Sequence, residues 1–127
     1  MNKIINTQAA PAPIGPYNQA VLAGNTLYVS GQIAIVPKTG DLVQNSIVHE
    51  TKQVLENLKA ILIEAGFTMT DVVKTSIFLS NMDFFNTVNE VYAGYFVNDT
   101  APARETVAVS TLPKNVNVEI SAIAVKQ

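Results

Sequence analysis

Between Ser46 and Ala65 the apolar positions return with a helical period, with Ile47, Val54, Leu55, Leu58, Ile61, Leu62 and Ala65 on one stripe. Asn45 or Ser46 can cap the start, Glu50 suits the first turn, and Gly66 suits the position just past the end. A helix is therefore predicted over 46–65. A second helix is predicted from Asp83, as its cap, to about Phe96, burying Phe85, Val88, Tyr92, Tyr95 and Phe96.

The remaining apolar segments are shorter and rich in β-branched residues, which suits strands. Residues 1–5 fit a short edge strand. The stretch Ala9–Pro16 holds three prolines and cannot be regular structure. "QAVLAGNTLYVSGQI" reads as strands Gln19–Ala23 and Thr26–Ser30 joined at Gly24-Asn25, and "VPKTGDL" reads as a turn. Residues 71–79, Thr106–Ser110 and Val116–Val125 complete the set, the last two flanking a "TLPKN" turn.

The order β-β-β-α-β-α-β-β predicts an α+β fold: one mixed sheet in a single domain, 1–127, with both helices on one face. The last strand carries Val116, Val118, Ile120, Ala122 and Ala124 on one side and Ile123 and Val125 on the other. Both faces then call for burial, and only one is covered by helices. Composition sharpens this point. Charged residues make up 14% of the chain against roughly 25% in ordinary domains, while 48% are apolar. A homo-oligomer is expected.

Net charge −2 and a pI near 5.2 recommend neither nucleic acid nor an anionic membrane as a partner. No apolar run approaches the ~18–20 residues of a membrane span, and the N-terminus lacks the apolar core of a signal peptide. A cytoplasmic protein is expected. With no cysteine there are no disulfides, thiolate nucleophiles or cysteine-based zinc sites. Walker loops, dinucleotide fingerprints and metal-ligand clusters are also missing from the sequence.

Arg104 is the one arginine, in "TAPARETVAV", beside seven lysines. Guanidinium offers a planar, permanently charged fork for a carboxylate, which lysine does not. Glu119 lies inside the most hydrophobic strand, where a charge is costly unless paired or useful. It could form a structural ion pair with Arg104 or a lysine, or serve as an acid-base group. A hairpin of 106–110 with 116–125 would set Glu119 opposite Arg104–Thr106, although the pattern sets no register. Tyr17 follows Gly15-Pro16 and reads either as core or as a pocket wall. Ser30-Gly31 ends a strand with a residue that lets a ligand approach the backbone. Asn89 lies off the stripe of the second helix, and His49 reads as surface.

"IGPYNQA", "LYVSGQIA", "ENLKAILIEAG", "VVKTSIFL", "NTVNEVYAGYF", "PARETVAVSTLPKNVNVEI" and "AIAV" together resemble the RidA/YjgF family of imine deaminases, from residue 3 to 126. The resemblance implies a chorismate-mutase-like fold, a homotrimer with pockets between subunits, and no cofactor. It implies hydrolysis of 2-imino acids such as 2-iminopropanoate and 2-iminobutanoate, formed from enamines such as 2-aminoacrylate, to 2-keto acids and ammonia. Arg104 then matches the carboxylate-binding arginine and Glu119 the glutamate that activates water. Tyr17, Ser30, Gly31, Asn89 and the backbone of Thr106 match pocket-lining positions.

Three positions depart from the family pattern. Thr106 stands where many relatives have cysteine, Ala34 where many have proline, and Glu105 where the residue is usually small. Strand alternation predicts that Glu105 points away from Arg104. If the two side chains converged instead, Glu105 would block the clamp. The alternative function is a regulator that binds carboxylates in the same pocket without chemistry.

Overall fold

In the computed structural model, which describes residues 1–127, one six-stranded sheet carries every strand of the chain. The elements are β1 (Lys3–Ile5), β2 (Ala20–Ala23), β3 (Thr26–Gln32), α1 (Ile47–Glu64), β4 (Val72–Leu79), α2 (Phe85–Ala93), β5 (Ala103–Ala108) and β6 (Val118–Val125). Their order across the sheet is β1-β2-β3-β6-β4-β5, with only β4 and β5 parallel as neighbours. This is the α+β architecture expected from the pattern. Both helices cover one face, because strand–helix–strand crossovers of one hand keep their helices on one side.

Local chemistry explains the boundaries. Ser46 caps α1 by accepting the His49 amide at 3.1 Å, and Gly66 leaves the helix at φ +82°, a conformation that favours glycine. His49 is exposed, in line with its surface assignment. Asn81 rather than Asp83 caps the second helical segment, which begins as a 3-10 turn at 82–84. The helix ends at Ala93, short of the expected Phe96; Val88 and Tyr92 within it and Phe96 beyond it are buried, whereas Phe85 and Tyr95 are only partly so.

Two strand expectations need correction. β5 runs over Ala103–Ala108 rather than the expected Thr106–Ser110, so Arg104 lies within the strand. The hairpin of 106–110 with 116–125 does not form, because β4 lies between β5 and β6. The α2 crossover returns β5 alongside β4 in parallel at the sheet edge, and β6 fills the gap between β3 and β4. Arg104 consequently pairs with Thr75, and Glu119 with Phe78.

On the helix side, Val118, Ile120, Ala122 and Ala124 of β6 join Val54, Leu55, Leu58, Ile61 and Leu62 of α1 in the main core. No helix covers the other face. At one end of it Phe78 packs against a small cluster of Ile33, Leu112 and Val116. A row of side chains crosses the rest strand by strand through Ile4, Val21, Tyr28, Ile123 and Lys74. Ile4 and Tyr28 are each 51% exposed, so this row has no cover within one chain.

Candidate active site

Arg104 points to the helix side. Its guanidinium lies 4.9 Å from the ring centre of Tyr92 and 5.8 Å from that of Phe85, within cation–π range. The Tyr92 hydroxyl is held at 2.7 Å by the hydroxyl of buried Thr75, the strand neighbour of Arg104. Burial raises the Tyr92 pKa, and the Thr75 bond and the Arg104 charge oppose that rise. Aromatic faces steer the guanidinium without occupying its N–H fork. A cavity of about 360 Å³ opens beside it, lined by Asn89, Tyr92, Phe96, Pro102 and Arg104. Thr106 shares the Arg104 side of β5, where its buried hydroxyl has no hydrogen-bond partner.

Glu119 points the other way. It alternates along β6 with buried Val118 and Ile120, so its side chain lies on the face that no helix covers. There it lies across Gly31, and a Cβ at that glycine would sit 2.1 Å from Glu119 Oε2. Gly31 falls in a register shift between Val29 and Gln32, so Ser30-Gly31 lies inside β3 as a bulge and does not end the strand. Burial alone pushes the Glu119 carboxyl above its usual value, and no lysine or arginine lies within ion-pair distance. A second cavity of about 460 Å³ is lined by Tyr17, Ser30, Gly31 and Glu119 with apolar walls from Ile14 and Ile33. Tyr17 is 47% exposed, which excludes the core reading.

The candidate residues therefore separate into two groups. Tyr17, Ser30, Gly31 and Glu119 meet in one cavity; Asn89 and Arg104 meet in the other, on the opposite side of the sheet. The structural Arg104–Glu119 ion pair does not exist within the chain. Glu105 alternates away from Arg104, as expected. It forms an ion pair with Lys74 at 3.0 Å and accepts a hydrogen bond from the Ser76 hydroxyl; these two contacts, Ser76 first, lower its pKa.

Three buried polar side chains support the Glu119 cavity in a role that the sequence reading did not give them. Gln19 accepts the Thr7 amide and donates to the carbonyls of Thr7, Ala10 and Pro11, holding one cavity wall. Asn57 donates to the carbonyls of Ile33 and Ile35, holding another. Glu50 accepts from the amides of Asn117 and Val118, just before Glu119. A signal existed for two of them. Glu50 and Asn57 sit at helical spacing on the stripe of Ile47, Val54 and Ile61, where polar residues are out of place.

The sequence and the fold match a known group of proteins. A family model described as Endoribonuclease L-PSP matches residues 7–126. The chain belongs to that family, the RidA/YjgF family that its motifs resemble. It is 53% identical over its whole length to a Pyrococcus horikoshii protein named as a RutC family protein, and covers all of that protein. It is 48% identical to the mouse protein named 2-iminobutanoate/2-iminopropanoate deaminase, covering 99% of this chain and 93% of the relative. A solved Yersinia pestis structure described as a Rid family protein superposes with a TM-score of 0.96 at 49% identity, covering 99% of this chain and 100% of the other.

Proposed function

We infer that this chain assembles as a homotrimer that hydrolyses small 2-imino acids to 2-keto acids and ammonia, with no cofactor. One observation carries the reading: the chain holds a guanidinium with no carboxylate partner and a carboxylate with no cation partner, each in its own cavity, on opposite sides of one sheet. Cyclic packing of identical copies lets the Arg104 half-site of one copy face the Glu119 half-site of the next. The uncovered row through Val21, Tyr28 and Ile123 supplies apolar surface for that contact. The deaminase name of the mouse relative supports the chemistry.

In the joined site, Arg104 takes the substrate carboxylate through two parallel hydrogen bonds, leaving the imine carbon toward Glu119. That carbon is already electrophilic, so positioning and one proton carrier suffice. With the imine nitrogen protonated, Glu119 accepts a proton from water as the water oxygen bonds to the carbon and the C=N π pair moves to nitrogen, giving a 2-amino-2-hydroxy acid. Glu119 then returns the proton to the nitrogen. The C–N bond breaks and ammonia leaves with the bonding pair, while the hydroxyl passes its proton to Glu119 to become the keto oxygen; that proton leaves with ammonia as ammonium. A carboxylate whose pKa is raised by burial holds a transferred proton longer than an exposed one.

The test is imine hydrolysis by the purified protein, with an amino-acid oxidase generating 2-iminopropanoate or 2-iminobutanoate, beside light scattering for mass. Faster keto-acid release and a trimer are expected. A stable monomer at micromolar concentration, or no acceleration, overturns the reading. Binding of 2-oxobutyrate without turnover would instead favour a carboxylate-sensing regulator. The family description includes endoribonuclease, but a net charge of −2 and one arginine make poor phosphate tracking. RNA cleavage is expected to be absent in the same preparation.

A further inference from the structure

The most enclosed charge in the molecule is Glu50, which is 0% exposed in the first turn of α1. Its Oε2 accepts the backbone N–H of Asn117 at 2.7 Å and of Val118 at 2.9 Å, and its Oε1 accepts Asn117 Nδ2 at 3.1 Å. No lysine or arginine pairs with it. A buried carboxylate held this way by donors is costly to disturb, because removing its partners leaves a charge unsatisfied.

Consecutive N–H groups of a regular strand point to opposite sides. Two of them converging on one oxygen mean that the chain bends at Asn117 and that β6 begins at Val118. Ser80 completes the lock from β4's end. Its N–H donates to the Asn117 carbonyl at 3.0 Å, and its hydroxyl donates to Asn117 Oδ1 at 2.7 Å. Asn117 is thus bonded through all four of its polar groups. The lock comes just after a 3-10 turn in which Lys114 and Asn115 have φ of 55° and 56°, an unfavourable conformation for residues with side chains. The strand beyond the lock depends on it, since a one-residue slip exchanges the two faces of a strand. Val118 would turn to the open side and Glu119 into the core.

We propose that Glu50 is a positioning residue for the imine hydrolysis inferred above: through Asn117 it pins the entry of β6 and so sets the register that lays the Glu119 carboxylate over Gly31. The proposal rests on that functional reading. It makes Glu50 essential to rate without contact to substrate.

The test is a reciprocal pair of substitutions in the full-length protein. Glu50→Gln keeps an acceptor for the two backbone amides but turns an NH₂ group against Asn117 Nδ2, donor against donor. Adding Asn117→Asp restores the match, since one oxygen of the introduced carboxylate can accept from the new amide and the other from Ser80. Glu50→Gln is expected to lower kcat by about ten- to a hundredfold, as small misplacements of a reacting group do. KM should move by less than about threefold, because the carboxylate clamp is untouched. The acidic limb of the kcat profile should also shift, as Glu119 changes its surroundings. The double variant should recover both kcat and the parental pH profile. A Glu50→Gln protein with parental kcat and only a lowered melting temperature overturns the proposal. So does a double variant that remains slow or fails to fold. Glu119→Gln, measured in parallel, separates the two levels. Parental turnover there overturns the functional reading and the positioning with it, whereas an inactive Glu119→Gln beside a fully active Glu50→Gln overturns the positioning alone.

Discussion

Gly31→Ala is expected to separate activity from stability. The backbone at Gly31 is not in the left-handed region, so alanine can adopt it without strain. The added Cβ would sit 2.1 Å from Glu119 Oε2, 2.9 Å from Cδ and 3.1 Å from Cγ. Ordinary contact needs about 3.4 Å, so the carboxylate has to withdraw by about 1.3 Å. Glu119 is half-buried and tied by no ion pair, so its side chain can move while the strands stay paired. Restricting the unfolded chain contributes about 0.4–1 kcal/mol in favour of alanine where the native backbone tolerates it. The melting temperature should therefore stay level or rise. A reacting group displaced by about 1 Å loses on the order of a hundredfold in rate, or ~2.7 kcal/mol in the barrier. The assay couples imine generation to keto-acid detection and reads kcat and KM separately, beside a thermal melt. The methyl could also obstruct substrate directly, and a double-mutant cycle with Glu119→Gln decides. If the loss runs through Glu119, adding Gly31→Ala to Glu119→Gln should cost almost nothing further. A Gly31→Ala enzyme within about threefold of parental kcat would refute the placement of the reacting carboxylate.

Glu119→Gln should retain 2-oxobutyrate binding and lose turnover, measured by calorimetry and the coupled assay. Burial disfavours the ionised Glu119, so native stability should fall as pH rises through its raised folded pKa; denaturant melts of Glu119→Gln should lack that slope. If the proposed joined site forms, Arg104 opposes the rise until a bound carboxylate neutralises it, and the acidic limb of kcat should then lie at higher pH than that of kcat/KM. Arg104→Lys should keep the fold and lose about 1.5–3 kcal/mol of substrate stabilisation with the bidentate contact, read as kcat/KM; near-parental turnover would make Arg104 structural. Glu105→Ser should leave KM within about twofold, since Glu105 faces Lys74 and Ser76 on the opposite side from Arg104; a tenfold gain in affinity would mean that Glu105 had been blocking the clamp.

How much of this molecule is legible in its sequence depends on the range of each physical rule. Helical periodicity is local, and it located α1 to within a residue at either end, cap included. Alternation within a strand is also local, and it correctly sent Glu105 away from Arg104. Strand order is not local. The sequence cannot show that β6 inserts between β3 and β4, because an adjacent pair of β-patterned segments is equally compatible with a hairpin. That single topological fact carries most of what was missed about the site. Parity along one strand says which residues share a face, but relating the face of Arg104 to the face of Glu119 requires the register across β5, β4 and β6. The register depends on contacts distant in sequence: Glu50 with Asn117, 67 residues apart, Ser80 with Asn117, 37 apart, and the bulge at Gly31 against β6. Arg104 and Glu119 were therefore legible as chemistry while their separation by the sheet was not. The separation bears directly on function. Two complementary charges that one chain keeps apart can act together only across a contact between copies, so the function proposed above makes assembly part of the active site.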